Sequence, residues 1–163
     1  MSDIDTLKNL NCPENVIAHL ISVSKNAAVI ADRVKIPVDR DLIKRGALLH
    51  DIGRCRTHGM GHGIEGGKIL RELGFPEEIA KIAERHIGAG ITSDEAEKLG
   101  LPPGDYCPKT PEEKIVAYAD NITMGNKMAT FDDSLERFKK MLGEGHPAIK
   151  RMEELHEEIQ SWI

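Results

Sequence analysis

The chain has 163 residues, of which 40% are hydrophobic and 30% are charged, and its formal net charge is −5. This length is typical of one domain with its own core, and the composition excludes both an intrinsically disordered chain and a membrane protein. The acidic balance argues against extended nucleic acid as a partner. A small phosphorylated ligand remains compatible with it, because such a ligand needs only a local basic pocket.

The N-terminus and the cysteines indicate a cellular compartment. The first ten residues, MSDIDTLKNL, are too acidic and polar for a secretory signal. We therefore expect a cytoplasmic protein with no membrane partner. Cys12, Cys55 and Cys107 are odd in number and include no C-x-x-C pair. This pattern predicts reduced thiols and excludes a disulfide framework and a thiolate zinc cluster.

Helix start and stop signals divide the whole chain into short amphipathic helices. No alternating strand pattern or hairpin signal interrupts them, so the sequence predicts an all-α, single-domain helical bundle over residues 1–163. The predicted helices lie within Asp3 to Asn9, from Pro13 to about Lys35, from a cap at Asp39 to His50, from about His62 to Leu73, from Pro76 through Ile87, over Ser93 to Leu99, from Thr110 to about Met124, over Asp132 to Leu142, and over Pro147 to Ile163.

Imidazole and carboxylate groups recur on the apolar sides of these predicted helices. His19, for example, shares a helical face with Val16, Leu20 and Val23, where an imidazole needs a polar partner. Any one such residue is most often a core group that bonds to the backbone or to an arginine. A metal centre, however, would satisfy the whole set together. The candidate ligands are His19, His50, Asp51, His62, His86 and Asp120.

The order of these residues resembles the HD-domain metal-dependent phosphohydrolases. The string HDIG begins at His50, and the string YAD ends at Asp120. The resemblance is strongest over residues 13–128, and the helices over 131–163 would complete the bundle. It implies an all-helical fold, a divalent metal site and hydrolysis of phosphate mono- or diesters, often of nucleotides. By this match His19, His50, Asp51 and Asp120 would bind a first metal.

The resemblance also implies a second metal held by His62 and His86, with Asp51 bridging the two ions. The sequence departs from the related phosphodiesterases in three ways: Arg54 replaces a frequent lysine, a single histidine stands at His86 where two are frequent, and no GYP motif is present. Arg54 could hold phosphate with its fork of donors, or it could be a solvated loop residue. The missing second histidine argues against hydrolysis of cyclic dinucleotides.

A mixed set of imidazoles and carboxylates suits Mn²⁺, Fe²⁺, Ni²⁺, Co²⁺ or Zn²⁺ better than Mg²⁺. We expect one or two such ions per chain. The predicted activity is hydrolysis of a nucleotide or other small phosphate ester by a metal-activated water, with Asp51 and Arg54 as catalytic residues and Arg54 also binding substrate. The alternatives are a metal- or nucleotide-binding regulatory module without turnover and a di-iron oxygenase. The last helix can cover its own core or that of a partner, so the oligomeric state stays open.

Four other groups of side chains have weaker interpretations. Glu65 could act as a general acid or base, although a glutamate early in a helix is more often solvated. His58 could substitute as a ligand or be exposed. His156 is expected at the surface, and Met124 and Met128 are expected to fill core space.

Overall fold

The computed structural model describes Met1–Ile163 and contains nine α-helices and one small hairpin. The all-α prediction is therefore confirmed. No helix combines the length and the apolar character that a membrane span needs. The elements are α1 (Asp3–Asn9), α2 (Glu14–Arg33), α3 (Arg40–Leu49), a 3₁₀ helix (Ile52–Cys55), α4 (His62–Glu72), α5 (Glu77–Glu84), α6 (Ser93–Lys98), α7 (Pro111–Ile122), β1 (Thr123–Met124), β2 (Lys127–Met128), α8 (Phe131–Leu142) and α9 (Pro147–Trp162).

Side-chain caps start two of the helices that carry candidate ligands. Asp39 accepts a hydrogen bond of 3.0 Å from the backbone N–H of Leu42, and Thr110 accepts one of 3.2 Å from Glu113. Both caps satisfy backbone donors that a helix N-terminus leaves unpaired. The fifth helix is shorter than predicted, because it ends at Glu84 and leaves His86 in the following turn.

The hairpin after α7 was not predicted. Its two strands pair antiparallel, with Thr123 opposite Met128, and Gly125 takes a positive φ of 64° in the turn. The prediction that Met124 and Met128 fill the core is wrong, since they are 39% and 38% exposed. The cause is the early end of α7, which places both methionines on the hairpin.

The core consists of two apolar clusters, and α2 contributes to both. Val16 and Leu20 belong to the smaller cluster, together with residues of α1, α4 and α5. Val23 and Ala27 belong to the larger cluster, together with residues of α7, α8 and α9. Leu49 and Ile52 of the smaller cluster flank His50 and Asp51, and Ala119 of the larger cluster precedes Asp120. The candidate ligands therefore lie near the junction of the two clusters.

Gly53 allows the 3₁₀ helix to pack directly against α4. A Cβ atom at this position would come within 1.7 Å of the carbonyl oxygen of His62. On the facing side, a Cβ at Gly66 would come within 3.2 Å of the backbone nitrogen of Gly53. This approach of backbone to backbone brings Asp51 next to His62.

The prediction that all cysteines are reduced is wrong. Cys12 and Cys55 form a disulfide, whereas Cys107 is free. The two partners are 43 residues apart in the chain, and both pack on the smaller apolar cluster. Their spacing contains no local signal of pairing, because the fold alone brings them together.

Candidate metal centre

The first group of converging side chains comes from α2, α7 and the turn that follows α3, and consists of His19, His50, Asp51 and Asp120. Their donor atoms all lie within 4.8 Å of one another. His19 Nε2 lies 2.9 Å from Asp120 Oδ1 and 3.5 Å from Asp51 Oδ2. His50 Nε2 lies 3.4 Å from Asp120 Oδ1 and 3.7 Å from Asp51 Oδ2. We call these four residues the outer cluster, because His19 and Asp120 keep 33% and 20% of their side chains exposed.

The second group shares Asp51 with the first and adds His62 and His86. The other carboxylate oxygen, Asp51 Oδ1, lies 3.2 Å from His62 Nε2 and 3.0 Å from His86 Nε2. The two imidazole nitrogens lie 3.2 Å from each other. We call Asp51, His62 and His86 the inner cluster, because all three are buried. Asp51 thus turns one oxygen toward each cluster.

Backbone carbonyls orient three of the four imidazoles. Each accepts a hydrogen bond from the Nδ1–H of the histidine three residues further on. The pairs are His50 with Ala47 at 2.6 Å, His62 with Gly59 at 2.8 Å, and His86 with Ala83 at 2.6 Å. This tautomer leaves Nε2 as the free donor atom of each ring, which is the arrangement that metal-binding histidines use.

Charge and burial separate the two clusters. Burial lowers the pKa of His50, but Asp51 and Asp120 outweigh that effect and raise its pKa to about 9. Burial also lowers the pKa of His86, and here the nearby carboxylate of Asp51 does not reverse the shift. Burial alone would raise the pKa of Asp51, but the neighbouring imidazoles of His50, His62 and His86 hold this pKa well below its usual range. Asp51 is therefore ionised near neutral pH.

Two buried atoms at the centre lack a hydrogen-bond partner. They are His50 Nε2 and Asp51 Oδ1. An unpaired polar atom in a protein interior is costly, and a divalent cation at these positions would remove the cost for both. The donors are imidazoles and carboxylates about 3 to 3.7 Å apart, as expected for ligands that share an ion at about 2 Å. The residues present thus suit a divalent metal.

A cavity of about 200 Å³ opens onto the outer cluster. It is lined by Asn15, Val16 and His19 of α2 and by Asp51 and Arg54. Arg54 Nε lies 3.2 Å from Asp51 Oδ2, and its side chain is 36% exposed. Arg54 therefore presents a cation to the cavity beside the carboxylate. Asn15 had no signal in the sequence analysis, because an asparagine early in a helix resembles any solvated polar residue.

The weaker candidates lie outside both clusters. Glu65 pairs with Arg56 at 3.3 Å, and His58 is exposed in the loop before α4. His156 is only half-exposed, contrary to the surface prediction. Its ring stacks on Phe131 with centroids 3.9 Å apart and interacts with the Tyr118 hydroxyl at 2.6 Å. These contacts lie among α7, α8 and α9, away from the candidate ligands.

A family model of the HD domain matches residues 16–125. The chain belongs to the HD-domain family. The matched range contains every candidate ligand from His19 to Asp120. The family expected from HDIG and from the order of the histidines is thus confirmed.

Related chains carry this HD domain alone or within longer proteins. An uncharacterized protein of Methanocaldococcus jannaschii is 55% identical over 98% of this chain and 96% of its own length. A tRNA (cytidine(56)-2'-O)-methyltransferase of Picrophilus torridus is 46% identical over 95% of this chain, which spans only 44% of that protein. A ribonuclease Y of Thermosipho melanesiensis is 33% identical over 79% of this chain, which spans 22% of that protein.

Solved structures show the same fold. The HD domain of the Listeria monocytogenes phosphodiesterase PgpH superimposes with a TM-score of 0.56 at 21% identity and covers 95% of both chains. The same domain in complex with cyclic-di-AMP gives a TM-score of 0.58 at 20% identity. At this identity the likeness concerns the fold of the HD domain.

Proposed function

We propose that this HD domain is a divalent-metal-dependent phosphohydrolase that acts on a nucleotide or another small phosphate ester. The observation that carries the proposal is the position of Asp51, whose two oxygens face two donor clusters beside a cavity that Arg54 lines. A bound divalent metal supplies a Lewis acid for phosphoryl oxygens and lowers the pKa of a coordinated water. His19, His50, Asp51 and Asp120 would hold one ion, and Asp51, His62 and His86 a second.

The side chains around the cavity support the binding of a phosphoryl group. Arg54 carries several N–H donors in a fixed plane, which suits two phosphoryl oxygens at once. Its Nε is 3.2 Å from Asp51, so a phosphate bound by the arginine would lie against the outer cluster. The partly exposed side chains of His19 and Asp120 leave this side of the cluster open to substrate.

A second and larger cavity supports a substrate with an apolar part. It has a volume of about 470 Å³ and is lined by Met60, Ile87, Leu99 and Phe138 among other residues. Ile87 directly follows His86, and its Cδ1 atom would lie 3.4 Å from a Cβ at Gly63, next to His62. Ile87 is thus the lining residue next to His86 in the chain. A cavity of this volume and apolar lining can enclose a hydrophobic part of a small ligand.

The names of two relatives suggest which substrates to assay first. Ribonuclease Y and tRNA methyltransferase both refer to RNA. The net charge of −5 disfavours a long RNA on the surface of this chain. Ribonucleotides and short ribonucleotide phosphodiesters are therefore the first substrates to assay, followed by cyclic dinucleotides and small phosphomonoesters.

The test is phosphate or nucleoside release by purified protein loaded in turn with Mn²⁺, Fe²⁺, Ni²⁺, Co²⁺, Zn²⁺ and Mg²⁺. We expect turnover with at least one transition metal. Replacing Arg54 by alanine should raise KM by about tenfold, because a charge-assisted contact to phosphate is lost. Arg56→Ala is the matched control, since Arg56 pairs with Glu65 and lies outside the cavity. Equal effects of the two variants would contradict the role of Arg54.

One finding favours a regulatory module as the second candidate. In the Picrophilus torridus relative the matching segment is less than half of a longer enzyme, as expected for an accessory domain. Such a module would bind metal and nucleotide without hydrolysing the nucleotide. Binding of a ribonucleotide to the metal-loaded protein, with no product from any substrate or metal, would favour this alternative.

A further inference from the structure

The Cys12–Cys55 disulfide joins the two segments that line the cavity over the outer cluster. Cys12 immediately precedes Pro13, which caps α2, and the same end of α2 contributes Asn15 and His19 to the cavity. Cys55 is the last residue of the 3₁₀ helix and directly follows Arg54. The two Cα atoms are 4.7 Å apart. The crosslink therefore fixes the distance between the start of α2 and the segment that carries Arg54.

The two sides of this crosslink are held with different strength. Cys12 is only 7% exposed and belongs to the smaller apolar cluster, and its backbone N–H donates to the carbonyl of Leu7 at 3.1 Å. Cys55 is half-buried, and its helix has four residues and leads into the turns before α4. Two thiols cannot remain at the distance of a disulfide bond, about 2.0 Å. On reduction we therefore expect the displacement on the side of Cys55, next to Arg54 in the chain.

We propose that the Cys12–Cys55 disulfide is a positioning device that holds Arg54 beside the outer cluster, so that its reduction weakens phosphate binding. This inference rests on the proposed function for the role of Arg54 in binding a phosphoryl group. Phosphate binding would then depend on the thiol–disulfide state of two residues that do not line the cavity. Cys12 and Cys55 act through the backbone segments that they join.

The chemical step is thiol–disulfide exchange with a dithiol reductant. A thiolate of the reductant attacks Sγ of Cys55, the more exposed sulfur, and the Cys12 sulfur leaves as a thiolate that takes up a proton. The second thiol of the reductant then attacks the mixed disulfide, closes a disulfide within the reductant and releases Cys55 as a thiol. The protein gains two electrons and two protons, and the dithiol loses the same number.

The first measurement counts thiols in the full chain. Protein kept in aerated buffer without thiols, then unfolded and alkylated, should carry one adduct, on Cys107. After dithiothreitol it should carry three adducts, on Cys12, Cys55 and Cys107. Three adducts on the oxidised sample would overturn the proposal, because the crosslink would not form.

The second measurement is binding of inorganic phosphate to Mn²⁺-loaded protein by calorimetry, before and after dithiothreitol. We expect the dissociation constant to rise about fivefold on reduction, the size of effect that a displaced charge-assisted contact produces. Cys107→Ser should show the same change as the wild type. Cys55→Ser and Cys12→Ala should bind phosphate like the reduced wild type in both conditions. Their lack of response also shows that dithiothreitol does not act by removing Mn²⁺.

These results separate the inference from the proposed function. A redox-dependent affinity for phosphate without hydrolysis of any ester would sustain the inference and contradict the proposed function. Hydrolysis with the same KM before and after reduction would do the reverse. Equal phosphate affinity in the oxidised and reduced wild type, or no phosphate binding in either state, would overturn the inference.

Discussion

The outer and inner clusters share Asp51 but differ in charge and access. The outer cluster has two carboxylates and two imidazoles, and it opens to a cavity through His19 and Asp120. The inner cluster has one carboxylate and two imidazoles, all buried. Since a divalent cation gains most from carboxylate charge, the outer cluster should bind the first ion more tightly. The inner cluster should fill second, and only when Asp51 is ionised.

The two clusters also differ in their protonation without metal. His50 has a pKa of about 9, because Asp51 and Asp120 outweigh the effect of burial. His86 has a lowered pKa, because burial dominates. In the metal-free protein a proton on His50 therefore offsets part of the charge of the two carboxylates, whereas His86 is neutral. A metal entering the outer cluster has to displace a proton, and a metal entering the inner cluster does not.

Replacing Asp51 should have the largest effect on activity, because both clusters depend on its carboxylate. Loss of a metal removes several kcal/mol of transition-state stabilisation, so Asp51→Ala should lower turnover by at least about 10³-fold. Helix content by circular dichroism should stay near that of the wild type, since Asp51 lies outside the apolar clusters. Turnover and metal requirement equal to the wild type would show that the mechanism is wrong.

Removing ligands from one cluster at a time should show which cluster binds each ion. We expect two Mn²⁺ ions per chain at saturation in the wild type and one ion in the variant that combines His62→Ala with His86→Ala. Loss of a residue that only orients a metal ligand typically lowers metal affinity by 10- to 100-fold. Asp120→Asn changes a ligand itself, so it should lower the affinity for the first ion by about 100-fold or more. Elemental analysis after gel filtration measures the stoichiometry.

The same stoichiometry experiment can contradict the two-cluster interpretation. One ion per chain in both the wild type and the double histidine variant, with equal activity, would make the centre mononuclear. His62 and His86 would then orient Asp51 or contact the substrate. His58→Ala is the matched control, because His58 is exposed and should leave the metal content unchanged.

Much of this architecture could be predicted from the sequence because its signals are local. Caps such as Asp39 and Thr110 mark helix starts within a few residues, and HDIG places a histidine and an aspartate at the end of α3. The division of the ligands into two clusters was predicted through the resemblance to a family. In the structure Asp51 turns one oxygen toward each cluster, and the binding of two ions stays a prediction.

The features that were missed depend on tertiary contacts. The Cys12–Cys55 pair and the cavity residue Asn15 come together only because α2 packs beside the segment between α3 and α4. The hairpin at Thr123–Met128 replaces the last turn of a predicted helix, and no strand pattern can be recognised in two-residue strands. The stacking of His156 on Phe131 likewise needs the packing of α8 and α9.

Gly53→Ala tests how the fold brings the inner cluster against Asp51. Its Cβ would meet the carbonyl oxygen of His62 at 1.7 Å, so backbone must move. We expect a loss of about 3 kcal/mol in unfolding free energy and a melting temperature lower by about 10 °C. The affinity for the second ion should fall more than the affinity for the first. Gly59→Ala is the matched control, because its Cβ would meet only Thr57 Oγ1 at 3.7 Å. Similar melting temperatures for the two variants would contradict the close approach.

The smallest expected effect is the dependence of metal affinity on pH, which should differ between the two clusters because their imidazoles differ in pKa. The pKa of His50 is about 9 in the metal-free protein, above its ordinary value of 6.5. Below about pH 9 the first ion must displace this proton, so its affinity should rise about tenfold per pH unit between pH 7 and 9. The second ion should show a much weaker dependence in that range, because the pKa of His86 is lowered.

The raised pKa of His50 also makes the stability of the metal-free protein depend on pH. A group whose pKa is raised in the folded state stabilises the fold below its unfolded pKa, and this stabilisation is lost as the pH rises through the folded pKa. The metal-free protein should therefore lose stability between about pH 6.5 and 9, whereas the metal-loaded protein should not.

Calorimetric titrations in buffers with different ionisation enthalpies count the protons released with each ion. We expect about one proton with the first ion at pH 7.5 and nearly none with the second. Equal release with both ions, or none with the first, would remove the electrostatic distinction between the outer and inner clusters.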